Sequence, residues 1–257
     1  MTNIDYDRFA RFYDHDYNTF RADIPFFLGF AQRTGGPLLE LACGTGRLLQ
    51  PLAEAGYQIT GVDISPAMLD RARQRLESTG LSERVSLVQA DMRDFELPDR
   101  YALAFISINS FMHLETTVDQ RQALRCWRRH LRPGGLLIID LFNPNLRAFL
   151  EADGRLIVQK QWQDPETGAT VVKQFARTLD TINQTLHITF IYDELFPDGT
   201  VRRTLAPFTM RYLWRPEAEL LLEASGYELE AIYGSYDLEP LMNESERMIF
   251  VARPSHG

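Results

Sequence analysis

Short apolar runs alternate with helical segments over residues 36–142, and this rhythm is the strongest constraint on the fold. The helical patterns end at glycines or prolines, and each apolar run is too short to be a core helix. Strands that alternate with helices form a parallel sheet covered on both faces. The sequence therefore predicts an α/β fold, with strands at 37–41, 58–62, 85–89, 101–108 and 136–141 and helices at 47–55, 65–78 and 118–131.

The flanking regions follow different patterns. Residues 4–34 are predicted to be helical, because aromatic side chains recur there at spacings of three and four. Residues 155–213 contain four alternating runs separated by D-P-E-T-G-A and F-P-D-G-T, which are turns of hairpin type. We predict an antiparallel β-meander inserted over the carboxyl edge of the main sheet. The predicted domains are 1–154, with the N-terminal helices and the main part of the core, and the insert 155–213. Residues 214–257 would add a helix and the last two strands to the core.

The overall charge argues against a surface for nucleic acid. The 257 residues carry a formal net charge of −8, whereas phosphate binding needs clustered Lys and Arg. The nearest cluster, Arg125, Arg128, Arg129 and Arg132, has helical spacing and is interpreted as a solvated face.

Localisation and metal content follow from what the sequence lacks. No apolar signal core or stretch of about 18 apolar residues is present, so we predict a cytoplasmic protein with no membrane contact. Its two cysteines and five histidines show no metal-ligand spacing, so we also expect no metal.

A glycine-rich turn follows the first strand in L-L-E-L-A-C-G-T-G-R, residues 38–47. Dinucleotide sites use G-x-G-x-x-G, but Gly44 and Gly46 are followed by Arg-Leu-Leu and the third glycine is missing. Glu40 lies just before the turn, where it would repel a pyrophosphate and favour a cationic ligand.

Acidic residues also lie at or just after the ends of the next two strands. Asp63 ends strand two, a position from which a carboxylate accepts hydrogen bonds from ribose hydroxyls. Asp91 and Met92 follow strand three and could supply an acceptor for an adenine amino group and an apolar floor under its ring. Three acids in successive loops indicate an adenosine-containing ligand with a positive charge.

These stretches resemble the motifs of class I S-adenosylmethionine-dependent methyltransferases. The motifs are E-L-A-C-G-T-G-R, G-V-D-I-S-P-A-M-L, Q-A-D-M-R-D and L-R-P-G-G, in the family's order and spacing. The resemblance implies a Rossmann-like seven-stranded methyltransferase fold, S-adenosylmethionine as cofactor and S-adenosylhomocysteine as product. Ala42 stands where many members have glycine. The cofactor-binding residues would be Tyr13, Arg21, Glu40, Ala42, Cys43, Gly44, Gly46, Arg47, Asp63, Ile64, Met68, Asp91, Met92, Ile108 and Asn109.

A second resemblance covers most of the chain. F-A-R-F-Y-D-H-D-Y, S-I-N-S-F-M-H-L, the β insert and E-S-E-R-M-I-F-V-A-R are similar to small-molecule methyltransferases, including deoxyaminosugar N,N-dimethyltransferases. This resemblance implies that Tyr13 and His113 line the acceptor site, and we predict that these two residues are catalytic. It also aligns Arg247 with an arginine of the C-terminal strand.

The residues themselves leave alternatives open on the acceptor side. His113 could be a general base, an acceptor contact or a structural hydrogen-bonding group. Tyr13 and Tyr17 could make cation–π contacts or form the apolar stripe of a covering helix. Arg247 lies on an apolar strand and needs a carboxylate partner, either Glu244 or Glu246, or else a substrate anion. The residues predicted to bind the substrate are Tyr17, His113, Asn143 and Arg247.

We therefore predict an enzyme that transfers a methyl group to a small molecule, with an amine nitrogen as the accepting atom. The alternatives are transfer to a hydroxyl oxygen, intramolecular cyclisation of the sulfonium, and a non-catalytic cofactor-binding subunit. The partner would be the small-molecule acceptor, and the chain would be a monomer or a homodimer.

Overall fold

The computed structural model describes residues 6–255, which contain eleven strands and seven α-helices. The strands are β1 (Leu38–Leu41), β2 (Ile59–Asp63), β3 (Val85–Gln89), β4 (Tyr101–Ile106), β5 (Leu131–Phe142), β6 (Leu156–Gln163), β7 (Thr170–Asp180), β8 (Thr185–Leu195), β9 (Val201–Arg211), β10 (Tyr227–Tyr233) and β11 (Arg247–Pro254). The helices are α1 (Ala10–Tyr17), α2 (Ile24–Thr34), α3 (Leu49–Glu54), α4 (Pro66–Ser78), α5 (Thr117–His130), α6 (Leu146–Ala152) and α7 (Arg215–Ala224).

Seven strands form the main sheet in the order β10-β11-β5-β4-β1-β2-β3. The five strands of the predicted βαβ region run parallel, and β11 and β10 add antiparallel to β5 at one edge. This arrangement confirms the predicted α/β methyltransferase fold. The strand order changes direction between β1 and β4, so the loops that follow these two strands lie side by side at the carboxyl edge of the sheet. Open parallel sheets bind ligands at such a point.

The core lies between the sheet and its helices. Every residue of β1, β2 and β4 is buried, because these central strands are covered on both faces. Phe27 of α2 packs on Phe105 of β4 with ring centroids 4.7 Å apart, and both rings are fully buried. The continuous apolar character of these strands therefore reflects burial on two sides.

A separate antiparallel sheet has the order β6-β7-β8-β9. Its strands are joined in sequence as antiparallel neighbours, which confirms the predicted four-stranded meander. Its position as a lid over an acceptor stays a prediction.

The chain divides into two compact units. One consists of Pro144–Tyr212 together with the described residues up to Phe9, and it holds the antiparallel sheet and α6. The other consists of Ala10–Asn143 and the segment from Leu213 onward, and it holds the main sheet. This division does not test the domain boundaries expected from the sequence, which stay a prediction.

Three local features differ from the sequence-based expectations. Residues 4 and 5 of the predicted N-terminal helix lie outside the described residues, and the rest forms a short 3-10 helix followed by α1 and α2. The break comes before Pro25, which fits only the first turn of a helix. Strand β5 starts at Leu131, because pairing with β4 continues past an irregularity. Helix α6 has no strong sequence pattern and was not predicted.

In the described part of the chain, no helix is long and apolar enough to cross a membrane.

Candidate active site

The glycine turn after β1 has three residues with left-handed backbone conformations. Gly44 and Gly46 have φ of 54° and 76°, and Ala42 has φ of 52°. A Cβ added at Gly46 would lie 3.2 Å from the Cβ of Ala72, so helix α4 approaches this turn closely. The two glycines are therefore required by backbone conformation, and Ala42 holds a conformation that favours glycine.

Glu40 is a buried carboxylate just before the turn. Its side chain is 2% exposed, and Oε2 accepts no hydrogen bond among residues 6–255. Burial raises the pKa of Glu40 well above its usual range, although Arg47 opposes the shift. Arg47 is itself neutralised, because its Nη1 and Nη2 donate to Asp23 at 2.7 and 2.5 Å. Glu40 therefore has an acceptor oxygen available for a cationic or N–H donor.

Cys43 is a packing residue in this structure. Its side chain is buried, and burial, with Asp63 and Glu40, raises the pKa of its thiol. A Cβ added at Gly61 of the neighbouring strand would lie 2.8 Å from the Cys43 sulfur. The turn therefore packs tightly on β2, and the thiol is not set up as a nucleophile.

Asp63 ties the ends of β1 and β2 together. Its Oδ2 accepts the Gly44 N–H at 2.8 Å, and its Oδ1 accepts the Ser65 N–H at 2.9 Å. Ser65 then caps α4 by accepting the Met68 N–H at 3.1 Å. Next to Asp63, the apolar side chain of Ile64 is 50% exposed, which is unusual in this part of the molecule. The first two predicted cofactor loops are thus joined by one carboxylate.

The third acidic loop is held by an arginine. Asp91 accepts from the Arg93 side chain at 3.0 and 2.5 Å, and Arg93 also donates to Asp119 at 2.7 Å. Burial would raise the pKa of Asp91, but the hydrogen bonds and charge of Arg93 lower it. The Met92 carbonyl accepts the Trp127 indole N–H at 2.8 Å. Asp91 therefore stays ionised, and any adenine contact would share it with Arg93.

Helix α1 is fastened beside the glycine turn. The Arg71 guanidinium donates to the carbonyls of Ala10 and Arg11, and Arg75 pairs with Asp14 at 2.9 Å. Asp14 also accepts the Thr45 hydroxyl at 2.7 Å. These contacts join α1 to both α4 and the glycine turn.

Two tyrosines of α1 lie near that turn. The Tyr13 ring would be 3.7 Å from a Cβ built on Gly44, and the Tyr13 and Tyr17 ring centroids are 4.7 Å apart. Burial and Asp16 raise the pKa of Tyr17 to about 12, against the opposing charges of Arg47 and Arg247. Arg21, predicted to bind cofactor, is an exposed residue in the turn before α2.

The loop after β4 is strained. Ile108 and Asn109 have φ of 47° and 64°, both in the left-handed region. The short 3-10 helix Ser110–His113 follows and carries the partly buried His113. The Asn109 side chain accepts the Phe142 N–H at 2.6 Å, which attaches the loop to the end of β5.

Arg247 pairs with a carboxylate other than the expected Glu244 or Glu246. Its Nε and Nη2 lie 2.6 and 2.5 Å from Oδ1 of Asp140, rather than pairing with Glu244 or Glu246. Asp140 also accepts the Tyr236 hydroxyl at 2.8 Å. The available signal was the single acid within the apolar run L-L-I-I-D-L-F. Asn143, predicted to bind substrate, donates its side-chain amide to the Ser245 carbonyl at 2.9 Å.

Comparisons of the sequence with known proteins all indicate the same family. The sequence pattern described as "Methyltransferase domain" matches residues 38–135. The chain is 30% identical over 219 residues to the cypemycin N-terminal methyltransferase of a Streptomyces species, covering 84% of this chain and 82% of that protein.

Solved structures agree along almost the whole chain. The CcbJ methyltransferase of Streptomyces caelestis is similar with a TM-score of 0.82 and 25% identity, over 97% of each chain. A sugar N-methyltransferase of a Streptoalloteichus species is similar with a TM-score of 0.76 and 26% identity, over 96% of this chain and 93% of that one. The chain therefore belongs to the class I S-adenosylmethionine-dependent methyltransferases that act on small molecules.

Proposed function

We propose that the protein methylates an amine nitrogen of its small-molecule acceptor. The sugar enzyme is named an N-methyltransferase, and the Streptomyces relative is named for methylation at an N-terminus. The observation in this chain that supports the proposal is the loop after β4, which presents His113 at the carboxyl edge of the sheet. An ammonium acceptor must lose a proton before it attacks, and a histidine suits that step.

The residues around the glycine turn fit the cofactor. The buried Oε2 of Glu40 lacks a hydrogen bond among the described residues, and the ammonium of the methionine part would supply one. Asp63 would accept from the ribose hydroxyls, and the half-exposed Ile64 would cover one face of adenine. Gly44 and Gly46 would allow the backbone close to the methionine part.

The bound cofactor would supply an electrophilic methyl group on a sulfonium, which leaves as a neutral thioether. The chain then has to align the acceptor, exclude water and remove the proton. Tyr13 and Tyr17, with ring centroids 4.7 Å apart, would present aromatic faces to a cation. His113 would accept the proton from the attacking nitrogen.

The test is a screen of amines, amino acids and amino sugars, each paired with its hydroxyl analogue, read as release of S-adenosylhomocysteine. We expect turnover with at least one amine and none with its hydroxyl analogue. Methylation of the hydroxyl partner alone would overturn the nitrogen assignment, and methylthioadenosine as product would indicate cyclisation. In calorimetry the protein should bind S-adenosylmethionine and not NAD.

Replacing His113 with Ala tests its role as base. We expect the affinity for S-adenosylmethionine to stay within about twofold and turnover to fall roughly 100-fold, the usual contribution of a general base. His187→Ala is the matched control, because His187 is exposed on β8 and has no assigned role. Unchanged turnover in His113→Ala would show that this histidine is structural.

A further inference from the structure

Asp140 lies near the end of β5, and its carboxylate binds groups from three separate segments of the main-sheet unit. Its side chain is completely buried. Oδ2 accepts the Ile108 backbone N–H at 3.0 Å and the Tyr236 hydroxyl at 2.8 Å. Oδ1 lies 2.6 and 2.5 Å from two nitrogens of Arg247. One carboxylate therefore fastens the loop after β4, the loop after β10 and the start of β11.

The partner with the greatest consequence is Ile108. A β-branched residue rarely has positive φ, yet Ile108 and Asn109 hold this conformation in succession. Such strain persists only where surrounding contacts enforce it. Asp140 supplies two of these contacts, through its side chain to the Ile108 N–H and through its carbonyl to the Asn109 N–H at 3.0 Å.

The strained pair leads directly into the helical turn with His113. The Asn109 carbonyl accepts the Met112 N–H at 2.9 Å and so forms part of this turn. A change in the backbone direction at residues 108 and 109 would therefore redirect the whole turn.

We propose that Asp140 is a positioning residue for methyl transfer, which holds Ile108 and Asn109 in their left-handed conformations and so aims the His113 turn at the acceptor. This role rests on the proposed function of His113. The simpler alternative is that Asp140 only neutralises Arg247, whose guanidinium also lies 5.1 Å from the centre of the Tyr236 ring.

The two roles separate in an Arg247→Met background, where no cation needs a partner. Asp140→Leu added to that background removes the acceptor for Ile108 without burying an unpaired charge. If Asp140 positions the loop, the double variant should lose about 30-fold in kcat relative to Arg247→Met, within the range that small misplacements cost. Affinity for S-adenosylmethionine should fall by a smaller factor than kcat, because the glycine turn and Asp63 are untouched and only the predicted cofactor contacts of Ile108 and Asn109 would move.

The conservative variant provides the rescue. Asp140→Asn in the Arg247→Met background keeps an oxygen for the Ile108 N–H, so most of the lost kcat should return. Equal turnover of Arg247→Met and its Asp140→Leu double variant would overturn the proposal, and so would a failure of Asn to restore more activity than Leu.

Hydrogen exchange of the ligand-free protein tests, without an acceptor, whether Asp140 stabilises the loop after β4. We expect amides of residues 107–113 to exchange at least about tenfold faster in the Leu double variant than in Arg247→Met, with other strands of the main sheet unchanged. Unchanged exchange at 107–113 would contradict the proposal. If no amine is methylated, the proposed function fails on its own, and the exchange result still decides whether Asp140 holds the loop.

Discussion

At the residue scale, Glu40 is a buried carboxyl group in the candidate cofactor site. Arg47 opposes the effect of burial on the Glu40 pKa, but Arg47 is itself paired with Asp23, whose charge acts in the other direction. Burial raises the pKa of Glu40, so in the free protein the protonated form is favoured as the pH falls. A cationic ligand would reverse this preference, since it stabilises the ionised form.

Glu40→Gln should therefore remove a proton-linked component of binding. The affinity of the wild-type protein for S-adenosylmethionine should rise with pH. The rise should begin above about 4.5, the usual glutamate pKa, and stop at the raised pKa of Glu40. Within this pH range, binding of the cofactor should release a proton from Glu40. The variant should bind about tenfold more weakly at neutral pH and release none. Calorimetry in buffers of different ionisation enthalpy measures this, and identical proton release by both proteins would contradict it.

The same shift has a consequence for stability without ligand. A group whose folded-state pKa is raised stabilises the fold below its unfolded pKa and loses that contribution as the pH rises through the folded value. The wild type should thus lose stability relative to Glu40→Gln as the pH rises from about 4.5, the usual glutamate pKa, to the raised pKa in the folded protein. Urea denaturation of both proteins over a series of pH values provides the measurement.

Asp63 holds the geometry of the glycine turn, and it is also the residue proposed to contact the ribose. Asp63→Ala should weaken S-adenosylmethionine binding at least about 100-fold, because it removes an acceptor for the ligand and leaves the Gly44 N–H without its bond. The matched control is Asp70→Ala on α4, which removes an exposed acid paired with Arg73. A variant with wild-type affinity for the cofactor would show that Asp63 does not contact it.

At the element scale, α1 depends on contacts from its neighbours. It has only eight residues, too few for a stable isolated helix, so tertiary contacts must hold it in place. Arg71 and Arg75 of α4 supply them, and neither arginine was predicted as functional. The position of Tyr13 over the glycine turn therefore depends on another helix.

Arg75→Met should loosen α1 and weaken S-adenosylmethionine binding about five- to tenfold, the size expected for a partly buried ion pair. Arg73→Met on the same helix is the control, because its pair with Asp70 is exposed. Calorimetry gives the affinities, and hydrogen exchange of residues 10–17 reports the helix. Equal effects of the two variants would mean that α1 is held by other contacts.

At the scale of the whole molecule, every residue predicted to bind cofactor lies in one unit. They fall between Tyr13 and Asn109, within Ala10–Asn143. The antiparallel sheet belongs to the other unit, and its predicted contribution concerns the acceptor.

Replacing residues 144–212 with a flexible glycine–serine linker should therefore spare cofactor binding. We expect affinity for S-adenosylmethionine within about fivefold of the intact chain and no methyl transfer, since a linked domain commonly folds by itself. Circular dichroism checks folding, and calorimetry and the acceptor assay check the two functions. A folded variant that does not bind the cofactor would show that the antiparallel sheet takes part in binding.

The sequence by itself determined the strand order along the chain, the glycine turn and the three acids at or near the carboxyl ends of β1, β2 and β3. These features are local, because apolar runs, glycine conformations and helix caps depend on residues close together in the chain. For the same reason β3 was predicted to the residue, whereas the start of β5 was not, since its first residues are strand only through pairing with β4.

Only the tertiary structure decided which partners these residues have. The contacts of Asp140 with Ile108, Tyr236 and Arg247 join residues 32, 96 and 107 positions apart. Such pairs depend on which strands become neighbours and in what register, and residue type alone does not specify either. The sequence showed that Arg247 needed a carboxylate, but only the register of β11 against β5 brought Asp140 to it.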